Sequence, residues 1–382
     1  MLRYLTAGET HGPRLTAIIE GMPSGIKTDI NAINSELAKR QSGYGRGGRM
    51  QIEKDTVQIT SGVRNSFTLG SPITFEIQNK DWANWEQIMG IEKSNGERRV
   101  NCPRPGHADL TGMLKYDHDD IRNVLERASA RETAARVAVG ALCKQLLSRF
   151  NITLLNHVVR IGSVDMSSDY TSPDFADAVE QSPLRCADKQ AEQKAIEYID
   201  AAKAAGESCG GVVEVVARGV PAGLGSYVHY DRKLDANIAF SVMSIQAIKG
   251  VEFGMGFDVA KNRGSAVHDE IYYANNAYTR KTNNAGGIEG GMSNGEDIIV
   301  RAAMKPIPTL YTPLNTVNTD TKEPNKASVE RSDVCAVPAC AVVCEAAVAF
   351  ELAKAFLEKF GGDCVADITA NIEAYKTRLK RK

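Results

Sequence analysis

Apolar positions along the chain follow two different periods. Ile73, Phe75 and Ile77 take every second place within residues 71–78, which predicts a half-buried strand. The apolar run 15–20 stops at Gly21-Met22-Pro23-Ser24-Gly25 and predicts a strand closed by a turn. Residues 51–53 and 57–61 predict a hairpin about Lys54-Asp55, and residues 152–161 a further strand. A helical period appears at Ile30, Ile33 and Leu37, with Asp29 as N-cap and Lys39 and Arg40 in the last turn, where cations suit the dipole. Residues 119–150 are alanine-rich with few breakers and predict one long helix; residues 174–205 predict two polar ones. From about 336 to 360 the Ala, Val and Cys content predicts a buried helix. Residues 79–117 carry no clear period and predict a long loop, a feature that in compact domains tends to be functional.

The order strand, turn, helix, strands occurs twice. Gly219-Val220-Pro221-Ala222-Gly223-Leu224 matches Gly21-Met22-Pro23-Ser24-Gly25-Ile26, each after a strand and before a helix opened by an aspartate, Asp235 or Asp29. Gly291-Met292-Ser293-Asn294 precedes one strand much as Gly62-Val63-Arg64-Asn65 precedes another. The expected fold class is α+β: a β-α-β sandwich with a helical layer between two antiparallel sheets, in two pseudo-equivalent halves. The expected organisation is one domain over 1–382, with halves of about 1–150 and 210–382 and a peripheral helical insertion at about 163–208.

Composition narrows the function. The 382 residues are 43% hydrophobic and 24% charged, with a net charge of −1, which argues against bulk binding to nucleic acid. An anionic ligand then needs a local cluster of basic residues. No apolar run reaches the roughly 18 residues of a membrane span. A glycine- and histidine-bearing motif begins at residue 8, which leaves no room for a signal peptide and predicts a cytoplasmic protein. None of the eight cysteines forms a Cys-x-x-Cys pair, and Cys340 and Cys344 have no histidine near them in sequence, so reduced buried thiols and no metal site are expected.

The candidate chemistry lies in short glycine-bearing stretches. In Arg104-Pro105-Gly106-His107-Ala108-Asp109 the proline and glycine restrain a tight turn that presents His107 beside Arg104 and Asp109, an arrangement suited to proton transfer near neutral pH. His11 sits in Gly8-Glu9-Thr10-His11-Gly12, where small neighbours allow close approach by a ligand. Gly43-Tyr44-Gly45-Arg46-Gly47-Gly48-Arg49 alternates glycine with arginine, a pattern able to wrap an anion and distinct from a Walker loop. Small residues at 127–132 let something flat lie against the helix, and Lys305-Pro306-Ile307-Pro308-Thr309 is stiff and extended. The five glycines of 283–295 do not follow the Gly-x-Gly-x-x-Gly spacing of a dinucleotide site. His118, His157, His229 and His268 match no acid–base motif and are expected to be structural or at the surface.

These stretches, with Arg331-Ser332-Asp333, stand in one order across nearly the whole chain, and in that order they resemble the motif set of the chorismate synthase family. The resemblance implies the same sandwich fold, a homotetramer, and an anti-1,4-elimination of phosphate from 5-enolpyruvylshikimate 3-phosphate. That reaction gives chorismate, depends on reduced FMN, and closes the shikimate pathway with no net redox change. It implies His11 as general acid toward the departing phosphate and His107 beside the flavin, with Asp333 and Ser129 assisting proton movement there. FMN contacts would fall on Arg127, Ala128, Ser129, Gln246, Ala247, Gly290, Lys305, Pro306, Ile307, Pro308, Thr309 and Arg331. Arg40, Arg46, Arg49 and Arg104 would meet the anionic groups of the substrate, or a phosphate of NADPH, which enters at most as reductant. One departure is Thr10, where the family more often has serine; the hydroxyl is kept. Two rival classes remain open at this level: a nucleic-acid- or nucleotide-binding module built on the Arg/Gly loop, and a flavin oxidoreductase, for which no nicotinamide site is found.

Overall fold

Alternation sets the first sheet. In the computed structural model, which describes residues 1–47, 54–92, 94–166, 169–274 and 276–380, strands Arg3–Ala7 (β1), Arg14–Glu20 (β2), Val57–Ser61 (β3) and Ile73–Gln78 (β4) pair in the order β1-β2-β4-β3. All pairings are antiparallel, and the register sets Leu15 opposite Ile77, Ala17 opposite Phe75 and Ile19 opposite Ile73, so one face is wholly apolar and buried. The second sheet holds Thr153–Ile161 (β5), the short Val164–Asp165 (β6), Gly211–Arg218 (β7), Ile248–Phe253 (β8) and Ile298–Met304 (β9), in the antiparallel order β8-β9-β7-β5-β6. Leaving β6 aside, β5-β7-β9-β8 repeats the order of the first sheet.

The helices repeat as well. Ile30–Gln41 (α1) follows β2, as Leu234–Met243 follows β7; Thr133–Ser148 follows β4, as Val337–Phe360 follows β9. Counting Asp109–Tyr116 (α2), Arg122–Ala128 (α3), Phe175–Gln181 (α5) and Lys189–Ala204 (α6), these become α4 (Thr133–Ser148), α7 (Leu234–Met243) and α8 (Val337–Phe360), before a last helix Val365–Leu379 (α9). Helix α4 packs on β2 and β4, α8 packs on β5 and β7, and the two helices pack on each other. One continuous apolar core therefore runs from Ile19 and Phe75 through Leu142 and Val348 to Val213. The expected helical layer between two antiparallel sheets is what the chain forms.

Hydrogen bonds fix the register of the repeat. The hydroxyl of Thr68 donates to the Pro23 carbonyl (2.6 Å) and accepts from the Ile26 N–H (2.9 Å); Ser293 does the same with Pro221 (2.7 Å) and Leu224 (2.8 Å). Thr68 and Ser293 are thus counterparts, and the mate of Gly62 is Gly287 in place of the Gly291 suggested by sequence. A second correction concerns the helix starts. Asp29 caps α1 by accepting from the N–H groups of Asn31 and Ala32, whereas Asp235 lies inside the first turn of α7, where Lys233 is the N-cap, and accepts only from the Ala236 N–H (2.9 Å).

Two further expectations change. Residues 119–150 are not one helix, because Ser129 is extended (φ −67°, ψ 144°) and caps a 3₁₀ turn, Ala130–Glu132, between α3 and α4. The break is held by buried polar contacts: Arg40 donates to the Ala130 carbonyl (2.9 Å), and Arg131 reaches Asp55 (2.6 Å) and Asn79 (2.8 and 3.0 Å). The loop expected at 79–117 contains a 3₁₀ turn, Lys80–Asn84, and helix α2. Residues 51–53, expected to form a hairpin strand, lie outside the described residues. No helix among the described residues is long and apolar enough to cross a membrane.

The contact between α4 and α8 is closest at Gly140, where an added Cβ would stand 2.4 Å from the Ala346 Cβ and 2.5 Å from its Cα. Helix propensity alone makes Gly140→Ala stabilising by about 0.5–1 kcal/mol. Overpacking costs about 1–3 kcal/mol and wins. Gly140→Ala is therefore expected to melt several degrees below the wild type in a thermal scan; an unchanged or higher midpoint would contradict this packing.

Candidate active site

A cleft of about 420 Å³ opens where the two halves meet. The first half supplies Thr10, His11, Arg40, Arg46, the 104–108 turn and the broken helix around Ser129; the second supplies residues 245–247, 304–309 and 330–343. Most of the expected site residues are brought together here from stretches as far apart as residues 11 and 333: His11, His107, Ser129, Asp333, Arg40, Arg46, Arg104, Ala128, Gln246, Ala247, Lys305, Ile307, Pro308, Thr309 and Arg331 all line it.

Three expected contacts do not. Arg127 turns away and donates to the carbonyls of Gly8 (3.1 Å) and Thr6 (2.9 Å), bracing the end of β1. Gly290 sits in the turn between the two-residue strands Ile288–Glu289 and Met292–Ser293, outside the lining, and Pro306 points elsewhere than its neighbours. Arg49 lies outside the described residues.

The two histidines share one device. His107 Nδ1 lies 2.6 Å from the Asp109 carboxylate, and His11 Nδ1 lies 2.8 Å from the Glu126 carboxylate. Each ring therefore carries a proton on Nδ1 toward its carboxylate and keeps Nε2 as the nitrogen available to a ligand. Burial pushes the Asp109 carboxyl up, but hydrogen bonds from His107 and Arg104 outweigh it and hold the group far below the usual carboxylate range. Glu126 follows the same balance, with burial raising it and His11 and Arg122 bringing it below its ordinary value. His11 is also stacked on Trp85, with ring centroids 3.6 Å apart and planes within 14°.

The basic residues are arranged with the same economy. Arg104 clasps Asp109 (2.8 and 3.1 Å), donates to Thr309 (3.1 Å) and lies 3.1 Å from His107 Nδ1, so it orients the His107 turn with most of its N–H groups. Lys305 Nζ donates to the Gly106 carbonyl and ties the 305–309 segment to that turn. The Arg/Gly stretch is no loose tract. The Gly45 carbonyl accepts from Val334 and Cys335, the Gly47 N–H donates to Asp333 (2.6 Å), and Arg46 pairs with the other Asp333 oxygen (3.1 Å). Arg40 is the exception. Its Nη1 is buried, 3.6 Å from Asp55, with no hydrogen-bond partner, and burial lowers its pKa to about 10, leaving it charged at neutral pH. Gln246 Oε1 is a second buried atom without a partner. A donor and an acceptor left unsatisfied in one cleft fit a ligand that has both an anionic group and a donor. Ala247 adopts φ +70°, a left-handed conformation uncommon for a residue with a Cβ, while its carbonyl accepts from the Lys305 N–H.

Sequence reasoning missed Glu126, Arg131, Asp55, Trp85 and Glu330. Glu126 lies 115 positions from His11, and no local pattern marks a carboxylate as the partner of a distant ring. The buried His157–Glu214 pair (2.8 Å), backed by Arg301, is far from the cleft and is structural, as expected of that histidine.

Paired imidazoles among buried carboxylates, facing a cleft lined by Arg40, Arg46, Arg131, Lys305 and Arg331, define an enzyme that moves protons on an anionic substrate. Comparison with known proteins makes this specific. The sequence profile of the family described as chorismate synthase matches residues 2–357. The chorismate synthase of Caldicellulosiruptor bescii is 59% identical, covering 95% of this chain and 96% of that protein. That of Syntrophotalea carbinolica is 58% identical over 100% of this chain and 99% of its own. A crystal structure of chorismate synthase superposes with a TM-score of 0.81 at 43% identity, covering 100% of this chain and 99% of that one. The chain belongs to the chorismate synthase family. It is a carbon–oxygen lyase acting at the last step of the shikimate pathway.

The pH dependence follows from the carboxylates. A group whose folded pKa lies below its unfolded value, as for Asp109 and Glu126, contributes stability present above the unfolded value and lost as pH falls through the folded one. Denaturant midpoints should therefore fall as pH is lowered from about 4, near the unfolded carboxylate values. Asp109→Asn should be less stable at pH 7, and its midpoint should vary less below pH 4. Parallel wild-type and variant profiles would show that Asp109 is not held in this way.

Proposed function

We propose that this cleft is the place where 5-enolpyruvylshikimate 3-phosphate loses phosphate to give chorismate, with reduced FMN as cofactor. The observation that carries the reading is the pair of imidazoles, each with Nδ1 fixed on a buried carboxylate, beside a buried guanidinium with an unpaired N–H. The substrate carries two carboxylates and a phosphate, and a chain of net charge −1 meets them only through such a local cluster.

His11, as the imidazolium held by Glu126, delivers its Nε2 proton to the departing phosphate and is left as the neutral Nδ1–H ring, and Arg40 and Arg46 neutralise the charge that develops on the phosphate. Arg46 does so by leaving Asp333, which frees that carboxylate to take up the proton lost from the substrate carbon, with Ser129 also on the cleft wall. His107, held by Asp109 and Arg104, stabilises negative charge on the flavin side. Reduced FMN, when bound, would supply electron density for the elimination with no net redox change. The residues that would hold it line the cleft: small Ala128 and Ala247 admit a flat ring, Gln246 offers its unpaired acceptor to a ring N–H, and Lys305 and Arg331 offer positive charge. Arg127 acts on that pocket from behind, through the β1 end. NADPH enters only as a source of reducing equivalents.

The functional unit is proposed to be a single domain of two halves with the insertion at about 163–208, assembled as a cytoplasmic homotetramer. Exposed Phe240, Phe257, Ile271, Tyr273 and Tyr278 supply apolar surface for that assembly.

Phosphate release from the enolpyruvyl substrate, measured without oxygen, tests the reading. Reduced FMN should support release of phosphate and chorismate in equal amounts, and neither oxidised FMN nor an absence of flavin should. Release that ignores the flavin's redox state would refute it. In the same assay His11→Ala and His107→Ala should each turn over about 10²–10⁴-fold more slowly, the usual worth of a positioned proton donor or acceptor. Wild-type turnover in either variant would remove that histidine from the mechanism.

A further inference from the structure

Glu126 contacts the Thr10-His11 segment through every acceptor it has. Its carbonyl accepts from the Thr10 N–H (3.0 Å) and the Thr10 hydroxyl (2.8 Å). One carboxylate oxygen accepts from the His11 N–H (2.8 Å); the other lies 2.8 Å from His11 Nδ1 and accepts from Arg122 Nη1 (2.9 Å). The residue is 2% exposed and does not line the cleft, so no ligand reaches it. On the opposite side Trp85 covers the His11 ring, with Arg98 and Arg122 over its indole (4.3 and 5.1 Å) and its Nε1–H donating to Asp81 (3.1 Å). The ring has no freedom to flip or slide.

We infer that Glu126 is the positioning residue of His11: it fixes the ring as the Nδ1–H tautomer, so that Nε2 is the nitrogen that meets the substrate. This rests on the reading of His11 as the group that protonates the departing phosphate. The argument is one of donors and acceptors. Glu126 faces three donors and has only acceptors. A glutamine there must turn its NH₂ toward the His11 N–H or toward Nδ1 and Arg122, so a donor always meets a donor. With the NH₂ toward Nδ1, the ring is driven to the Nε2–H tautomer and Arg122 loses its acceptor; with the NH₂ toward the His11 N–H, the backbone that places the ring loses its acceptor. Glu126 also stabilises the imidazolium from which Nε2 donates; a triad carboxylate, which orients and supports its histidine in the same way, costs about 10⁴-fold in turnover when changed to its amide.

The test combines tautomer and rate. The holoenzyme is labelled with ¹⁵N-histidine, and the His11 signals are assigned by their absence in His11→Asn. At a pH where the ring is neutral, the wild type should show the Nδ1–H tautomer. Glu126→Gln should lose that signal and slow phosphate release by about 10²–10⁴-fold, with KM and flavin affinity within a few-fold of wild type. Glu126→Asp, which keeps the charge, should recover part of the rate. A wild-type ring in the Nε2–H tautomer overturns the inference whether or not any variant folds, and so does a Glu126→Gln enzyme with wild-type turnover. If the wild type shows the Nδ1–H tautomer but releases no phosphate from the substrate, the functional reading fails while the role of Glu126 in fixing the ring stands.

Discussion

Buried carboxylates lying one side chain behind the cleft are the constraint on which the site depends. Asp55 backs Arg131 and Arg40, Asp109 backs Arg104 and His107, and Glu126 backs His11 and Arg122. Without them the cleft would concentrate positive charge with no compensation in a place that burial makes costly. Removing one partner of such a buried pair costs about 3–5 kcal/mol, because the other charge is stranded. The carboxylates therefore do two things together: they make a dense cationic lining tolerable, and they dictate which ring nitrogen each histidine presents.

The repeated architecture explains why the site sits where it does. Each half contributes a long central helix, α4 or α8, and the chain entering each helix forms a wall of the cleft: the Ser129 break before α4 and the 331–336 segment before α8. The halves meet through α4 and α8, and the close approach at Gly140 and Ala346 sets their distance. Packing of the core thus fixes the separation of residues from the two halves, His11 and Ser129 on one side, Lys305 and Asp333 on the other. Arg46, pairing with Asp333, is one of several polar links across that junction, with Arg104 to Thr309 and Lys305 to the Gly106 carbonyl.

Much of this was legible in the sequence, for physical reasons that differ by element. The alternation in 73–77 and the cap at Asp29 are local signals, and local physics realised them. The glycine-bounded histidines were legible because a tight turn beside a proton-transfer residue is an unusual combination. The break at Ser129 was not, since the sequence 127–132 is compatible with a helix, and only the distant Arg40, Asp55 and Asn79 hold it open. Arg104 lines the cleft, and it also holds Asp109 five residues away, a carboxylate close enough to take two of its N–H groups. The mate of Gly62 was misplaced because the repeat is kept by a hydroxyl at Thr68 and Ser293, and not by glycine spacing.

On the function proposed for it, the arrangement is a proton-handling, anion-binding pocket in which a flavin would assist without being consumed. Flavin absorbance recorded under strict anaerobiosis, through many turnovers of a limiting pool of substrate, tests this most directly. The account predicts a transient change while substrate lasts, then the full reduced spectrum again, with phosphate and chorismate accumulated in equal amounts. Oxidation of one flavin for each product formed would contradict it.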